Sequence, residues 1–128
     1  MTRTASCACG ALSLRCPDVP LLVSMCHCSA CQKRTGGPFG IAAFFRNEEV
    51  EIDGAYSDYT RSSDAGYDVQ FHFCGTCGST VFWHPARMPD LVAVGVGAFG
   101  DPDFPAPSQE VFTGCRHSWV APLAPQGG

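Results

Sequence analysis

The residues best suited to chemistry in this sequence are its cysteines. Seven of the nine fall into three short groups: Cys7 with Cys9, Cys26 with Cys28 and Cys31, and Cys74 with Cys77. Two thiolates separated by two residues can turn toward one ion, and a glycine after the second accommodates the tight turn. Soft thiolates at such spacing favour Zn²⁺ over hard cations such as Mg²⁺. The three groups together predict metal binding.

Other uses of clustered cysteines fit this sequence less well. The cysteine spacings of ferredoxin-type iron–sulfur clusters are absent. A thioredoxin-like Cys-x-x-Cys motif belongs in a βαβ unit, which the sequence does not show. Nine is an odd number, so a disulfide framework cannot pair every cysteine. The two isolated residues, Cys16 and Cys115, are expected to be small core residues or ordinary thiols.

Seven thiolates divide naturally into one site of four and one site of three. Structural zinc sites are closed by four protein ligands, whereas catalytic sites commonly keep three and leave one exchangeable position. The preferred arrangement has Cys7, Cys9, Cys74 and Cys77 in the closed site and Cys26, Cys28 and Cys31 in the open one. A rival arrangement, as in a zinc ribbon, joins Cys28 and Cys31 to Cys74 and Cys77. The residues alone leave both arrangements open.

The neighbours of the second cysteine group add two expectations. Lys33 and Arg34 follow Cys31 closely, and their positive charges suit the carboxylate of an anionic substrate. His27 lies between Cys26 and Cys28, where alternation along the chain points its ring away from the metal. We therefore do not expect His27 to be a ligand.

The elements that position these cysteines are predicted to be short strands, because 14 glycines and 10 prolines interrupt most windows. Segments rich in Val, Phe, Tyr and Ile, with turn residues at their ends, predict the strands. They are Ala11–Arg15, Phe39–Phe45, Val50–Asp53, Tyr67–Phe73, Ser79–Trp83 and Leu91–Val96, and Pro20–Val23 is a further short apolar stretch. One short helix is predicted over Ser29–Thr35, ended by Gly36 and Gly37.

The whole chain, residues 1–128, is expected to form a single mainly β domain with long loops. Prolines at 102, 105 and 107 predict an extended C-terminal segment over residues 102–128. Its apolar residues Phe104, Val111, Phe112 and Trp119 are expected to pack back onto the domain.

Composition excludes several classes of protein. The net charge is −4, with 45% hydrophobic residues, so neither a disordered chain nor a general nucleic-acid binder is expected. No segment has the roughly 18 to 20 consecutive apolar residues that a membrane span requires. The first 15 residues also lack the apolar run of a signal peptide. The sequence therefore predicts a cytoplasmic protein, in a compartment where thiols stay reduced.

Taken together, the motifs resemble one known family. They are Cys7-x-Cys9-Gly10-x-Leu12, Cys26-His27-Cys28-x-x-Cys31 followed by Gly36-Gly37-Pro38-Phe39, and Phe73-Cys74-x-x-Cys77-Gly78-Ser79. The likeness continues through Val94–Pro102 and ends at His117–Val120. This pattern is similar to that of the glutathione-dependent formaldehyde-activating enzymes, a family that includes centromere protein V. The chain departs from the family pattern at Gln32, where Arg is expected, and at Phe99-Gly100, which replaces Leu-Asp.

The resemblance implies a small zinc-containing fold called a β-tent, with two zinc ions per chain. A structural zinc is implied on Cys7, Cys9, Cys74 and Cys77, and a second zinc on Cys26, Cys28 and Cys31. The implied activity is that of a carbon–sulfur lyase that joins glutathione to formaldehyde as S-hydroxymethylglutathione.

The charge of the open site supports thiol chemistry. Zn²⁺ held by three thiolates carries one net negative charge, so it is a weak Lewis acid for ionising water, yet it can hold a substrate thiol as thiolate. That sulfur could then attack the carbon of formaldehyde or a related aldehyde. The alternative is a non-catalytic zinc module that carries glutathione or binds a protein partner. A vacant coordination position favours the enzyme.

Overall fold

The computed structural model describes residues 1–62 and 66–123, which form ten β-strands, one α-helix and three short 3-10 turns. The strands are β1 Thr2–Ser6, β2 Ser13–Pro17, β3 Leu22–Cys26, β4 Gly40–Arg46, β5 Glu51–Asp53, β6 Ser57–Ser62, β7 Asp68–Phe73, β8 Thr80–Pro85, β9 Leu91–Gly95 and β10 Gln109–Val111. The helix, α1, spans Ser29–Thr35. The 3-10 turns span Asn47–Glu49, Val96–Phe99 and Thr113–Cys115. The protein is therefore mainly β, which confirms the prediction.

The smaller of two sheets has three strands in the order β1-β2-β5, all antiparallel. Leu14 and Cys16 alternate with exposed Arg15 along β2, so one face of this sheet is apolar. The loop between β1 and β2 carries Cys7 and Cys9. The sheet thus holds two of the clustered cysteines at one end.

The larger sheet has seven strands in the order β10-β3-β4-β9-β8-β7-β6. Its pairs are antiparallel except for β10, which runs parallel to β3 with Val111 opposite Cys26. The β7–β8 hairpin turn contains Cys74 and Cys77, and β3 ends at Cys26. Both remaining cysteine groups therefore lie at strand ends of this sheet.

The core lies between the two sheets. Leu12 of the β1–β2 loop and Leu14 of the small sheet pack with Phe45, Phe82 and Val94 of the large sheet, and each of these side chains is at most 1% exposed. Fully burying an apolar side chain of this size contributes about 1.5–3 kcal/mol. Burial of this apolar layer fixes the two sheets against one another, and with them the cysteine groups at their ends.

The opposite face of the large sheet, called here the outer face, is also apolar. Phe44 and Phe45 are neighbours in β4 that point to opposite faces, and both are buried. Phe44, Phe71 and Trp83 form the main part of the cluster on the outer face. The centre of the sheet is therefore covered on both sides.

The helix forms where the sequence predicts it, because both of its ends are capped. The Cys28 sulfur accepts a hydrogen bond from the Cys31 amide (3.3 Å), and Gly36 adopts the left-handed conformation with φ 70° while its amide donates to Gln32 (2.8 Å). Lys33 and Arg34 occupy the last turn, where positive charge complements the helix dipole. Across residues 1–62 and 66–123, no helix combines the length and the apolar character needed to cross a membrane.

The C-terminal segment follows its prediction only in part, and residues 124–128 of the expected 102–128 segment lie outside the described residues. Phe104 packs against the core and Val111 is half-buried in β10. Phe112 and Trp119 are 55% and 72% exposed, so the expectation that they pack onto the domain is wrong. Phe112, directly after β10, has a left-handed backbone conformation with φ 54°.

Candidate metal centres

The first centre, called the four-cysteine centre, joins the two sheets. Cys7 and Cys9 come from the β1–β2 loop, and Cys74 and Cys77 come from the β7–β8 turn. All four sulfurs lie within 4.8 Å of one another. The sulfur of Cys9 lies 3.6 Å from that of Cys7 and 3.7 Å from that of Cys74.

These distances fit a tetrahedral metal site. Four sulfurs at zinc–sulfur bonds of about 2.3 Å stand about 3.8 Å apart at the corners of a tetrahedron. The donors are all thiol groups, the ligands that structural zinc prefers. The residues therefore fit a closed zinc site, with no position left for a further ligand.

The backbone around the four-cysteine centre is shaped to hold negatively charged sulfur. Gly10 and Gly78 follow Cys9 and Cys77 directly, and their φ angles of 82° and 80° are ones that glycine adopts without strain. The amide of Leu12 donates to the Cys7 sulfur at 3.3 Å and lowers its pKa. Such donors stabilise thiolates, which is the form that binds metal.

A hydrogen bond from the Ser79 hydroxyl, followed by one from a backbone amide, lowers the pKa of Cys77 to about 5. The Ser79 hydroxyl also accepts a hydrogen bond from the amide of Ala8, which links the two loops at 3.1 Å. Ser79 thus contacts both of the segments that carry the four cysteines.

The second centre, called the three-cysteine centre, is built from a single stretch of chain. Cys26 ends β3, Cys28 caps α1 and Cys31 lies in its first turn. Their sulfurs lie within 4.8 Å of one another, and all three residues are half-buried. Within the described part of the chain, no fourth His, Cys, Asp or Glu ligand atom joins them. The donors fit a zinc site with one coordination position left for an external ligand.

In the three-cysteine centre, the surroundings favour ionisation of one thiol, that of Cys31, over that of Cys26. A hydrogen bond from the Cys26 thiol is the main cause that lowers the pKa of Cys31 to about 5. The charge of Arg34 and its hydrogen bond lower the pKa further, while burial opposes them. The same contact with Cys31 raises the pKa of Cys26. Negative charge therefore develops first on Cys31, beside Arg34.

His27 turns away from the metal centre, as the alternation predicts. It is fully buried, and its Nε2 donates to the Glu110 carboxylate at 2.9 Å. Glu110 also accepts from the guanidinium of Arg116 (3.1 Å) and from the amide of Leu123 (3.1 Å). The C-terminal segment is thus fastened to the loop that carries the three cysteines.

Gln32 makes a second connection to the same segment. Its side-chain amide donates to the carbonyl oxygens of His27 (2.8 Å) and Cys115 (3.1 Å), and its oxygen accepts from the ring of His117 (2.8 Å). These contacts give the Gln32 side chain a structural role. The sequence showed no sign of the contacts with Cys115 and His117, because both lie more than 80 residues from Gln32.

Two cavities are lined in part by residues of α1, the helix that carries Cys31. The larger, of about 720 Å³, extends from Arg34, Thr35 and Phe39 to Ser79 and Gly78 beside the four-cysteine centre. The smaller, of about 360 Å³, lies between α1 and the outer face of the large sheet, and Lys33 and Arg34 line it. The structure therefore places both cations suggested by the sequence at a cavity wall near Cys31.

The sequence did not predict a network of hydrogen-bonded side chains on the face of the large sheet that is turned toward the small sheet. His72 is 4% exposed; its Nδ1 lies 2.5 Å from the Asp58 carboxylate and its Nε2 lies 2.7 Å from Nδ1 of His84. Burial, and then repulsion from His72, lowers the pKa of His84. These three residues come from β6, β7 and β8, so only the strand register brings them together.

The isolated cysteines lie apart from both centres. Cys16 is fully buried in the core, and burial raises its pKa to about 11. Cys115 is exposed in the C-terminal segment. Neither belongs to a cluster of potential ligands among the described residues.

The fold and the two centres define a small β protein with clustered thiols that could hold zinc. The family profile described as "Glutathione-dependent formaldehyde-activating enzyme" matches residues 2–115, so the chain belongs to that family. A protein of Halomonas elongata, described as a proposed glutathione-dependent formaldehyde-activating enzyme, is 30% identical over 87% of this chain and 73% of its own length.

The fold also matches a solved structure. A crystal structure of a Rhodobacter sphaeroides protein superimposes with a TM-score of 0.64 at 22% identity, over 84% of this chain and 99% of that one. At this identity the likeness establishes the fold only.

Proposed function

We propose that the protein is a zinc-dependent enzyme of the carbon–sulfur lyase type that joins glutathione to formaldehyde, or catalyses a closely related thiol–aldehyde addition. Each chain would hold two zinc ions, a structural one on Cys7, Cys9, Cys74 and Cys77 and a second on Cys26, Cys28 and Cys31. With nine free cysteines and no need for disulfides, the cytoplasm is the compartment that suits it.

The observation that carries the proposal is the difference in ligand number between the centres. Four sulfurs complete a tetrahedron, but three leave one position for a ligand from outside. A zinc ion bound at the three-cysteine centre would keep a substrate thiol deprotonated. The family description and the name of the Halomonas relative both refer to glutathione and formaldehyde, which supports this choice of thiol and aldehyde.

The chain's own residues would orient the reactants. Cys26, Cys28 and Cys31 would hold the metal, and Lys33 and Arg34 at the wall of the smaller cavity would offer positive charge to the carboxylates of glutathione. In the reaction the thiol sulfur forms a bond to the formaldehyde carbon, and the electron pair of the carbonyl π bond moves to oxygen. The thiol's proton ends on that oxygen. The product, S-hydroxymethylglutathione, contains every atom of both reactants, and the reverse reaction breaks the same C–S bond.

The experiment that tests this proposal measures the rate of adduct exchange. Glutathione and formaldehyde combine without a catalyst, so NMR exchange spectroscopy should compare the interconversion rate in buffer, with the wild-type protein and with Cys28→Ser. We expect wild-type protein to accelerate exchange and Cys28→Ser to match buffer. If the protein binds glutathione but exchange proceeds at the buffer rate, the protein is a carrier and the proposed enzyme activity is wrong.

A further inference from the structure

The smaller cavity has an unusual distribution of charge. Three of the eight basic residues of the chain line it: Lys33, Arg34 and Arg61. Among the residues that the structure describes, no Asp or Glu lines it. Its remaining wall is largely aromatic, formed by Tyr59, Phe71 and Phe73. In a chain with a net charge of −4, this places a concentrated positive region beside an apolar surface.

The three cations also lack the partners that other arginines have. Arg3, Arg15, Arg46 and Arg116 each form an ion pair with a carboxylate. In residues 1–62 and 66–123, no carboxylate forms an ion pair with Lys33, Arg34 or Arg61. Like charges repel one another, so an anion in this cavity would be stabilised by all three.

Arg34 and Arg61 are held in place by aromatic rings. The guanidinium carbon of Arg34 lies 4.2 Å from the ring centre of Trp83, and that of Arg61 lies 5.4 Å from the ring centre of Phe71. The guanidinium carbon of Arg34 also lies 5.8 Å from the Phe71 ring, so two positive charges flank one aromatic side chain. Cation–π contacts orient a guanidinium but leave its in-plane N–H donors available.

Arg34 has an unused donor. Its Nε is buried and has no hydrogen-bond partner in the described part of the chain. A buried N–H without a partner costs free energy, and a carboxylate is the partner whose planar shape matches the guanidinium fork. Gly40 gives Arg34 the space it uses, because a Cβ at this position would stand 2.5 Å from Nη2 of Arg34 and 3.4 Å from the Cβ of Cys31. The cavity, Arg34 and the three-cysteine centre are therefore contiguous.

We propose that the smaller cavity is the binding site for the carboxylates of the thiol that the three-cysteine centre takes, and that Arg61 selects thiols carrying more than one carboxylate. This inference rests on the proposed function, since it presumes a thiol at the centre. Arg61 reaches the cavity from β6, on the wall opposite α1. It is thus a specificity-determining residue contributed by the far side of the site.

The test uses S-methylglutathione, which has both carboxylates of glutathione but no thiol to ligate a metal. Binding is followed by the fluorescence of Trp83, against which Arg34 lies, in the Trp119→Phe protein so that only one tryptophan remains. We expect saturable binding, and Arg61→Gln should raise the Kd at least about tenfold because it removes a charge-assisted hydrogen bond. The matched control is Arg87→Gln, an exposed arginine outside the cavity, which should leave the Kd unchanged.

A second variant changes shape and keeps the charge. Gly40→Ala retains all three cations but displaces the end of Arg34, and it should also weaken S-methylglutathione binding several-fold. Arg61→Gln should leave the Kd for 2-mercaptoethanol, a neutral thiol, unchanged when its binding is followed by the absorption of the Co²⁺-substituted protein. Unchanged melting temperatures would show that the variants fold normally.

The outcomes separate this inference from the proposed function. If glutathione changes the Co²⁺ absorption but S-methylglutathione does not bind, or Arg61→Gln and Arg87→Gln behave alike, the cavity assignment is wrong and the thiol centre stands. If S-methylglutathione binds with the expected sensitivity to Arg61 while no thiol alters the Co²⁺ absorption, the cavity assignment stands and the proposed function fails. If neither compound binds, both are overturned.

Discussion

The two cysteine centres differ in how much of the chain each one connects. The four-cysteine centre brings together the β1–β2 loop and the β7–β8 turn, so a metal there would cross-link the two sheets across 65 residues of sequence, from Cys9 to Cys74. The three-cysteine centre takes all its sulfurs from Cys26–Cys31 and connects no distant strands. Closing a long loop restricts the unfolded chain far more than closing a short one. We therefore expect the first centre to serve stability and the second to exchange a ligand while the fold persists.

The largest effect should come from breaking the four-cysteine centre. Cys74→Ser removes one ligand of a site whose apparent metal-binding energy, about 10–16 kcal/mol, is coupled to folding and rivals the whole stability of a typical domain, about 5–15 kcal/mol. We expect loss of the cooperative melting transition, measured by circular dichroism. Cys115→Ser, at an exposed cysteine outside both centres, is the control and should melt like wild type. A Cys74→Ser protein with a wild-type melting temperature would contradict the structural role.

The same substitution in the three-cysteine centre should be much milder. Cys28→Ser should lose one of two metal equivalents, measured by native mass spectrometry, and lose thiol binding, while the fold persists. Serine is a good helix N-cap, so α1 keeps its first hydrogen bond. If Cys28→Ser unfolds the protein and Cys7→Ser does not, the assignment of the two centres is reversed.

A smaller effect should follow from loosening the three-cysteine loop at Glu110. The hydrogen bond from His27 is the main cause that lowers the pKa of Glu110 below its ordinary value of 4.5. The ionised carboxylate therefore adds stability above about pH 4.5, and this stability is lost as the pH falls through the lowered pKa. Glu110→Gln should lower the melting temperature by a few degrees at pH 7, and the difference from wild type should shrink below pH 4.5.

Glu48→Gln is the matched control for this prediction, since Glu48 is exposed and forms none of the observed ion pairs. Its melting temperature should track that of wild type at every pH. If Glu110→Gln differs from wild type by the same amount at pH 7 and pH 4, the contact with His27 does not stabilise the loop through the charge of Glu110.

The smallest effect concerns backbone strain. The four-cysteine centre places glycine at its left-handed positions, Gly10 and Gly78, whereas the segment beside the three-cysteine centre has Phe112 with φ 54°. Phe112→Gly should raise stability by about 0.5–1 kcal/mol, because the steric cost of a left-handed Cβ exceeds the added chain entropy of glycine. Thr113→Gly, at a neighbouring residue with ordinary φ, should lower stability instead. Thermal melting of both variants would show whether strain is present.

Much of this architecture could be predicted from local sequence. The helix Ser29–Thr35 was predicted with its correct bounds, because its cap and its terminal glycine are local. The predicted segments Phe39–Phe45, Val50–Asp53, Tyr67–Phe73, Ser79–Trp83 and Leu91–Val96 coincide with β4, β5, β7, β8 and β9 to within one or two residues. The grouping of the seven cysteines into sets of four and three matches the clusters in the structure, although the ligand roles stay a prediction.

The rest depends on pairing between distant strands. The strands β1, β6 and β10 were missed, since Thr2–Ser6 and Ser57–Ser62 are mostly polar and Gln109–Val111 is short. The expected strand Ala11–Arg15 begins two residues too early, because Cys7–Leu12 forms the loop of the first centre. Arg61 entered no prediction, because only the position of β6 at the sheet edge brings it to the cavity near Cys31.

The difference between a closed four-cysteine centre and an open three-cysteine centre is tested most directly by a thiol titration of the Co²⁺-substituted protein. Charge-transfer absorption from sulfur to Co²⁺ increases when a further thiolate binds. We predict that glutathione increases this absorption in wild-type protein, more strongly as the pH rises toward the pKa of the free thiol, since thiolate ligation releases a proton. S-methylglutathione should leave the absorption unchanged, and so should glutathione added to Cys28→Ser protein that retains Co²⁺ in the four-cysteine centre. An unchanged wild-type spectrum at saturating glutathione, or an equal increase in Cys28→Ser, would contradict the assignment of the three-cysteine centre as the open one.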